Sequence, residues 1–360
     1  MTAIHVLVDS LADSGLPNAQ MGNAREIIRR LDAEKFRLSV FSCGAPDPQI
    51  AARPNTEIIY LPRQRQTPRI LREYMFGAHA ILFYMKAAPA SAVYTRMRRI
   101  RRDDRITVGT VESQSDLNRE LTLRKSAIRL WEKTVLRCDY LFSNSAAVQA
   151  NLAKEYGLPS EIVPTGVDTQ FFTPIVRRSH VRPKVLFVGS LRPFKQPNVL
   201  LDAAQRFPQA DFVLAGEGPM YKELHACVSR NRLSNVALLG GQTMDALRQL
   251  YREADVFLFP SRWEGSPKVI LEAAASGLPV IARKNYRPES VIHGSTGYLV
   301  DSDNDLFENL GILLSDASLR QRLGEAGRRH SLGFDWGVIT RQWEQIFLRL
   351  LDKKKGRYHA

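Results

Sequence analysis

Cysteine is scarce in this chain: Cys43, Cys138 and Cys227 are the whole complement of 360 residues, and no two form a CxxC pair. That spacing suggests neither a disulfide framework nor a cysteine-based zinc site. Long apolar runs are missing too. A membrane-spanning helix needs about 18 or more uninterrupted apolar residues, and the nearest stretch, residues 74–94, is broken by His79, Lys86 and Pro89. The first residues, Met1 to Asp9, lack the basic start and the long apolar segment of a secretory leader. The 7 histidines are scattered without ligand spacing, and His293, beside Gly294 and Gly297, reads as a turn residue. A cytoplasmic protein without a resident metal is therefore expected.

What is present is ordinary for a globular chain, 44% hydrophobic and 24% charged, and 360 residues suit two domains better than one. The net charge of +14 is uneven: residues 63–105 hold 11 Lys/Arg against 3 Asp/Glu. In the helix expected there, Val93, Met97 and Ile100 form an apolar stripe that reads most simply as core. Arg96, Arg98, Arg99, Arg101 and Arg102 occupy its other faces, with Arg63, Arg65, Arg69 and Arg72 preceding it. Such a patch attracts anionic lipid headgroups or an acceptor carrying a lipid phosphate, or it is a plain solvated face. No nucleic-acid motif or aromatic stacking platform accompanies it, so nucleic acid is not an expected partner.

Short apolar runs at residues 4–8, 37–42, 56–61, 80–85, 106–111 and 140–143 read as buried strands, alternating with helical spacing at 20–31, 89–102, 121–136 and 146–156. The polar stretch 173–183 then reads as a linker. The alternation restarts with strands at 185–188, 211–215, 236–239, 256–259 and 279–282, and helices at 198–206, 220–230, 245–253 and 269–275. This pattern predicts an α/β chain of two Rossmann-like domains facing a cleft, residues 1–175 and 180–335. A last apolar periodicity, 336–352, lies beyond the second sheet.

The densest signal runs from Phe257 to Ala282: strand, loop, helix, tight turn, strand. Ser266 suits an N-cap and Pro267 the first helical position, while Gly277-Leu278-Pro279 marks the stop. A helix start at the carboxyl end of a strand is where open α/β sheets bind ligands, and its backbone N–H groups favour an anion such as a diphosphate. Glu264 and Glu272 flank that start, too far apart along the chain for the paired carboxylates of a glycosidase. They suit the two ends of one extended ligand, or two solvated glutamates.

The order Glu264-Gly265-Ser266-Pro267, Leu271-Glu272-Ala273-Ala274, Gly277-Leu278-Pro279-Val280 resembles the signature of glycosyltransferase family 4 (glycosyl transferases group 1), retaining enzymes of the GT-B fold. Val188-Gly189-Ser190-Leu191-Arg192-Pro193-Phe194-Lys195 is similar to the family's phosphate-side glycine turn, and Ala215-Gly216-Glu217-Gly218-Pro219 to its second one. Pro164 to Asp168 resembles the end of the first domain, and the Phe334-Asp335-Trp336 helix the one that crosses back onto it. The resemblance covers residues 140–350 well and 1–140 in outline.

It implies a nucleotide diphosphate sugar as donor, a glycan or lipid-linked acceptor, and no metal. Glu272 would bind the donor ribose and Glu264 a hydroxyl of the transferred sugar. Backbone at Gly189, Ser190 and Gly265 to Val269, through Ser266, Pro267 and Lys268, would meet sugar and phosphates, and Lys195 would neutralise the diphosphate. Ser190 stands where the family usually has arginine, with Arg192 as the substitute cation. The strand 106–111 ends in Glu112 where relatives carry a histidine. Glu112 is then either a polar contact or base for the acceptor, or an ordinary loop carboxylate. A peripheral enzyme at the inner membrane face, working in cell-surface polysaccharide or lipopolysaccharide synthesis, is the expectation. Its rivals are a sugar-nucleotide epimerase of the same architecture and a non-catalytic binding protein. Asp301 and Asp303 match a metal-binding DxD of another fold, but Asp303 or Asp305 reads as a helix N-cap. The loop 14–22 is either backbone close to the acceptor or just a turn.

Overall fold

The computed structural model describes residues 3–13, 19–62, 64, 66–101, 103–112, 125–175 and 182–356. Readings at 14–18, Arg63, Arg65, Arg102, 121–124 and 176–181 lie outside the described residues, as does the side chain of Arg101. The chain divides at Pro164/Thr165 and Asp335/Trp336 into two compact units.

The first unit carries β1 (Ile4–Leu11), β2 (Phe36–Ser42), β3 (Thr56–Tyr60), β4 (Ile81–Phe83), β5 (Ile106–Val111), β6 (Tyr140–Ser143) and β7 (Glu161–Ile162). Their order is β3-β2-β1-β4-β5-β6-β7, and every pairing is parallel. Parallel neighbours need crossovers, which run through the helices Ala19–Arg30, Gln66–Phe76, Pro89–Arg101, Lys125–Lys133 and Ala146–Tyr156. The last helix, Trp336–Gly356, belongs to this unit because its aromatic face completes the core. Trp343 lies 4.7 Å from Phe83 and 4.8 Å from Phe142, ring centre to ring centre, and Phe347 lies 4.9 Å from Phe83.

The helix Pro89–Arg101 corrects the sequence reading. Its inward face is Ala90, Ser91, Tyr94 and Thr95, while Val93 (41%), Met97 (37%) and Ile100 (77%) are exposed. Small and hydroxylated side chains allow close packing against the helix Gln66–Phe76, where Tyr94 meets Tyr74 at 5.4 Å between ring centres, so the more apolar stripe is the one left outside. Arg98 is consequently not a surface cation. Its guanidinium pairs with Asp139 at 2.9 Å and donates to Thr107 Oγ1 at 2.7 Å.

The second unit carries β8 (Lys184–Val188), β9 (Asp211–Ala215), β10 (Val236–Gly240), β11 (Val256–Phe259), β12 (Val280–Arg283) and β13 (Gly297–Val300). Their order is β10-β9-β8-β11-β12-β13, again all parallel. The helices Asn198–Arg206, Tyr221–Arg230, Met244–Glu253, Lys268–Ala275, Asp303–Ser315 and Ala317–Ser331 surround it. The chain enters this unit earlier than the expected linker: Val167 and Phe172 are buried in its core, Phe172 against Tyr251 at 5.6 Å between ring centres. Residues 165–175 therefore leave the first domain in which the sequence reading placed them.

Candidate functional site

In both sheets the strand order reverses once, between β1 and β4 and between β8 and β11. Ligands of open α/β sheets bind outside the carboxyl ends at such a point, where loops turn away to opposite sides. In the second unit the loops leaving β8 and β11 carry most of the expected residues. Lys195 Nζ is bonded to Glu264 Oε1, and Ser261 Oγ donates to the same oxygen at 2.5 Å. The two charged side chains are only 16% and 11% exposed. The ammonium also sits over the rings of Phe259 (5.0 Å) and Phe194 (5.4 Å). Main chain ties the loops as well, since Arg262 N–H donates to the Phe194 carbonyl at 2.8 Å.

Lys195 is thus held in place before any ligand arrives. Arg192 is exposed, and among the described residues its guanidinium has no hydrogen-bond or ion-pair partner. Ser190 and Gly189 are half-buried on the same turn.

That turn rests on a second one. Gly189 N–H donates to the Ala215 carbonyl at 3.0 Å, Leu191 N–H to the Glu217 carbonyl at 2.8 Å, and Met220 N–H back to the Leu191 carbonyl at 3.1 Å. Gly216 and Gly218 have φ of +151° and +157°. A Cβ at 216 would lie 1.9 Å from the Gly189 carbonyl oxygen, and one at 218 would lie 2.5 Å from that of Leu191. Only glycine fits this approach.

The helix beginning after the β11 loop starts at Lys268, with Pro267 as its N-cap residue and no side-chain cap. Ser266 does not cap it, contrary to expectation, because the helix begins one residue late and puts proline in the cap position. Glu272, half-buried in its second turn, accepts from Tyr251 Oη at 2.9 Å. Burial pushes its carboxyl above the ordinary range, against the Tyr251 hydrogen bond and the Lys268 charge. Neither Ser261 nor Tyr251 was singled out from sequence. Both stand in the segment 250–261, which resembles the family's strand entering the site, but no role was assigned to either.

The DxD look-alike is accounted for by packing. Ser302, not Asp303 or Asp305, caps the helix Asp303–Ser315, and Asp305 closes the capping box at its third position. Asp303 pairs with Arg283, and Asp301 with Lys284 at 3.4 Å. Among the described residues no three His, Cys, Asp or Glu side chains gather as a metal site.

Glu112 stands in the first unit, at the end of β5. Its Oε1 accepts from Tyr84 Oη at 2.5 Å and its Oε2 from Asn23 Nδ2 at 2.7 Å, while Asn144 Nδ2 reaches its backbone carbonyl at 2.8 Å. Burial, with the Glu112 charge behind it, pushes the Tyr84 hydroxyl well above its ordinary range and keeps it a donor. Beside it, at the β1/β4 reversal, the Lys86 N–H donates to Asp9 Oδ2 at 2.7 Å. Burial lowers the Lys86 ammonium from the ordinary lysine range, opposed by Asp9, Cys43 and Asp13. The sequence places none of Tyr84, Asn23, Asn144 and Lys86 in a site. Their significance comes from strand adjacency, which no local pattern encodes.

Two family models match in tandem, "Glycosyltransferase Family 4" over residues 24–171 and "Glycosyl transferases group 1" over residues 169–330. An uncharacterised glycosyltransferase of Methanocaldococcus jannaschii is 35% identical over 170 residues, covering 46% of this chain and 48% of the relative. A D-inositol 3-phosphate glycosyltransferase of Corynebacterium efficiens is 30% identical over 257 residues, covering 63% and 61%. The matches thus span about half to three-fifths of these relatives' lengths. Among solved structures, Anabaena HepE in complex with UDP and glucose superposes with a TM-score of 0.76 at 20% identity, over 96% of this chain and 100% of that one. That likeness is one of fold, two parallel α/β units of the GT-B class.

Proposed function

Since the chain belongs to glycosyltransferase family 4, we propose that it moves a hexose from a nucleoside diphosphate sugar to a glycan or lipid-linked acceptor, with retention at the anomeric carbon and without a metal. The observation that carries this reading is the Lys195–Glu264 pair at the β8/β11 reversal. In the free protein each charge satisfies the other. A diphosphate arriving beside Lys195 takes over its charge, and Glu264 is released to accept from a sugar hydroxyl. As the glycosidic bond breaks, negative charge grows on the departing diphosphate. Lys195, Arg192 and the uncapped start of the Lys268–Ala275 helix stabilise it there, Glu272 holds the ribose, and Glu112 serves the acceptor side.

HepE, bound to UDP and glucose, supports a UDP-sugar as the first donor to try. Thermal unfolding with UDP-, GDP- and ADP-sugars tests the reading. One of them should raise the midpoint, by an amount equivalent to about 2.7 kcal/mol when present at 100 times its Kd. No stabilisation by any would sink it.

The acceptor side of the proposal includes an anionic membrane surface. Phe76 (71% exposed) and Ile100 (77%) stand on the neighbouring helices Gln66–Phe76 and Pro89–Arg101. Arg72, Arg96 and Arg99 lie exposed on the same two helices, without hydrogen-bond or ion-pair partners among the described residues. Apolar side chains beside free cations suit a headgroup boundary. Among the described residues no helix is long and apolar enough to cross a membrane. The protein should float with phosphatidylcholine–phosphatidylglycerol vesicles at low salt and be released by high salt. Failure to float at low salt would refute attachment.

A further inference from the structure

A cavity of about 430 Å³ opens in the second unit where β11, β12 and β13 end, within the roughly 300–1,000 Å³ range of small-ligand sites. None of the residues assigned above to the donor lines it. Its walls instead adjoin them: Gln196 follows Lys195, and Arg262 and Trp263 precede Glu264. The far wall is Arg283 and Asn285 after β12, with Asp301 and Asp303 after β13.

The lining has donors and acceptors in balance. Two guanidiniums and two carboxylates stand in the lining, Asp303 paired with Arg283 and Asp301 with Lys284 beside the wall, so neither sign is left in large excess. With the Gln196 amide turned so that its nitrogen donates to the Pro260 carbonyl, its oxygen accepts from Arg262 Nε at 3.1 Å and Nη2 at 3.2 Å. A phosphate or carboxylate entering here would meet Asp301 and Asp303, and a polyamine would meet the arginines. A neutral polyhydroxylated ring meets neither penalty. Its hydroxyls donate to aspartate oxygens and accept from guanidinium and amide N–H groups, and its C–H face suits the indole of Trp263.

We infer that this cavity is a saccharide subsite for a neutral hexopyranose unit, separate from the donor position. It is built into the loop that carries Glu264. Asn285 Nδ2 donates to the Arg262 carbonyl at 2.5 Å, and Arg262 N–H to the Phe194 carbonyl at 2.8 Å. A bound sugar therefore braces the segments on which both Lys195 and Glu264 stand. The subsite goes beyond the transfer proposed above and does not depend on it.

Trp263 is one of 4 tryptophans, so the full chain labelled with 5-fluorotryptophan gives a ¹⁹F line assigned by its loss in Trp263→Phe. Methyl α-glucoside, α-galactoside and α-mannoside are titrated to tens of millimolar with UDP at saturation, and inorganic phosphate in parallel. At least one hexoside should shift the Trp263 line saturably while phosphate leaves it in place. Asn285→Ala and Asp301→Asn should each abolish the shift and leave UDP affinity in calorimetry unchanged. No saturable shift with any hexoside overturns the proposal, as does a larger shift with phosphate. A shift that survives both substitutions does so too, since the sugar would then be in the donor position. Absence of UDP binding to the wild-type chain, with its hexoside shift present, would count against the donor reading and not against this one.

Discussion

Replacing Lys195 with alanine is expected to lower kcat/KM for sugar transfer by about 10²–10³-fold, the effect of removing one preorganised stabiliser of developing negative charge. Lys195 is the cation whose position the fold determines. Glu264, Phe194 and Phe259 hold its ammonium, whereas Arg192 reaches solvent unbonded. The substitution also strands the Glu264 carboxylate, and removing one partner of a largely buried pair is destabilising in its own right. Stability and catalysis separate in the double variant Lys195→Ala/Glu264→Gln, which should recover the melting temperature but not turnover. Steady-state kinetics with the stabilising donor measure the first effect and calorimetric unfolding the second. A kcat/KM within tenfold of the wild type would remove Lys195 from the site.

Glu272→Gln should show two opposite effects. Burial raises the acid, so the fold favours its protonated form and binds that proton more tightly than the unfolded chain does. Stability is then highest below the ordinary glutamate pKa of about 4.3 and falls as pH rises through and above it. Glutamine carries no proton to lose. The variant should melt higher than the wild type at pH near 7 and show no such gain under acidic conditions, near the pH where the wild type is itself protonated. Donor binding should move the other way. A charged acceptor's hydrogen bonds are worth about 1.5–3 kcal/mol, so UDP affinity should fall about 10–100-fold. Calorimetry with UDP decides: an unchanged Kd contradicts the ribose assignment, and an equal gain in melting temperature at both pH values contradicts the buried acid.

The helices 146–156 and 198–206 coincide with Ala146–Tyr156 and Asn198–Arg206 because apolar spacing and clear end signals agree there. The helix Gln66–Phe76 was not among the expected elements of the basic segment; Pro68 stands in its first turn, where a proline is tolerated. Ala317–Ser331 escaped because polar and charged side chains dominate it. On Pro89–Arg101 the difference is one of face: hydrophobicity points to Val93, Met97 and Ile100, while packing against the helix Gln66–Phe76 buries the small residues Ala90 and Ser91. In the candidate site the residue types and family order were legible. The contact between Lys195 and Glu264 was not, since 69 positions separate them. Alternation of strands and helices predicts a parallel sheet, but it does not say that β8 lies beside β11.

The stacked glycine turns bear on how this chain can vary. The loop after β8 takes its shape from main chain lying on main chain, through Gly216 and Gly218 against the carbonyls of Gly189 and Leu191. A loop shaped that way is indifferent to the side chains it carries outward. Position 190 can therefore change its side chain with no rebuilding of the turn beneath. Substitution is therefore expected to be borne better at position 190 than at Gly216 or Gly218, where a Cβ would meet a carbonyl oxygen of the neighbouring turn.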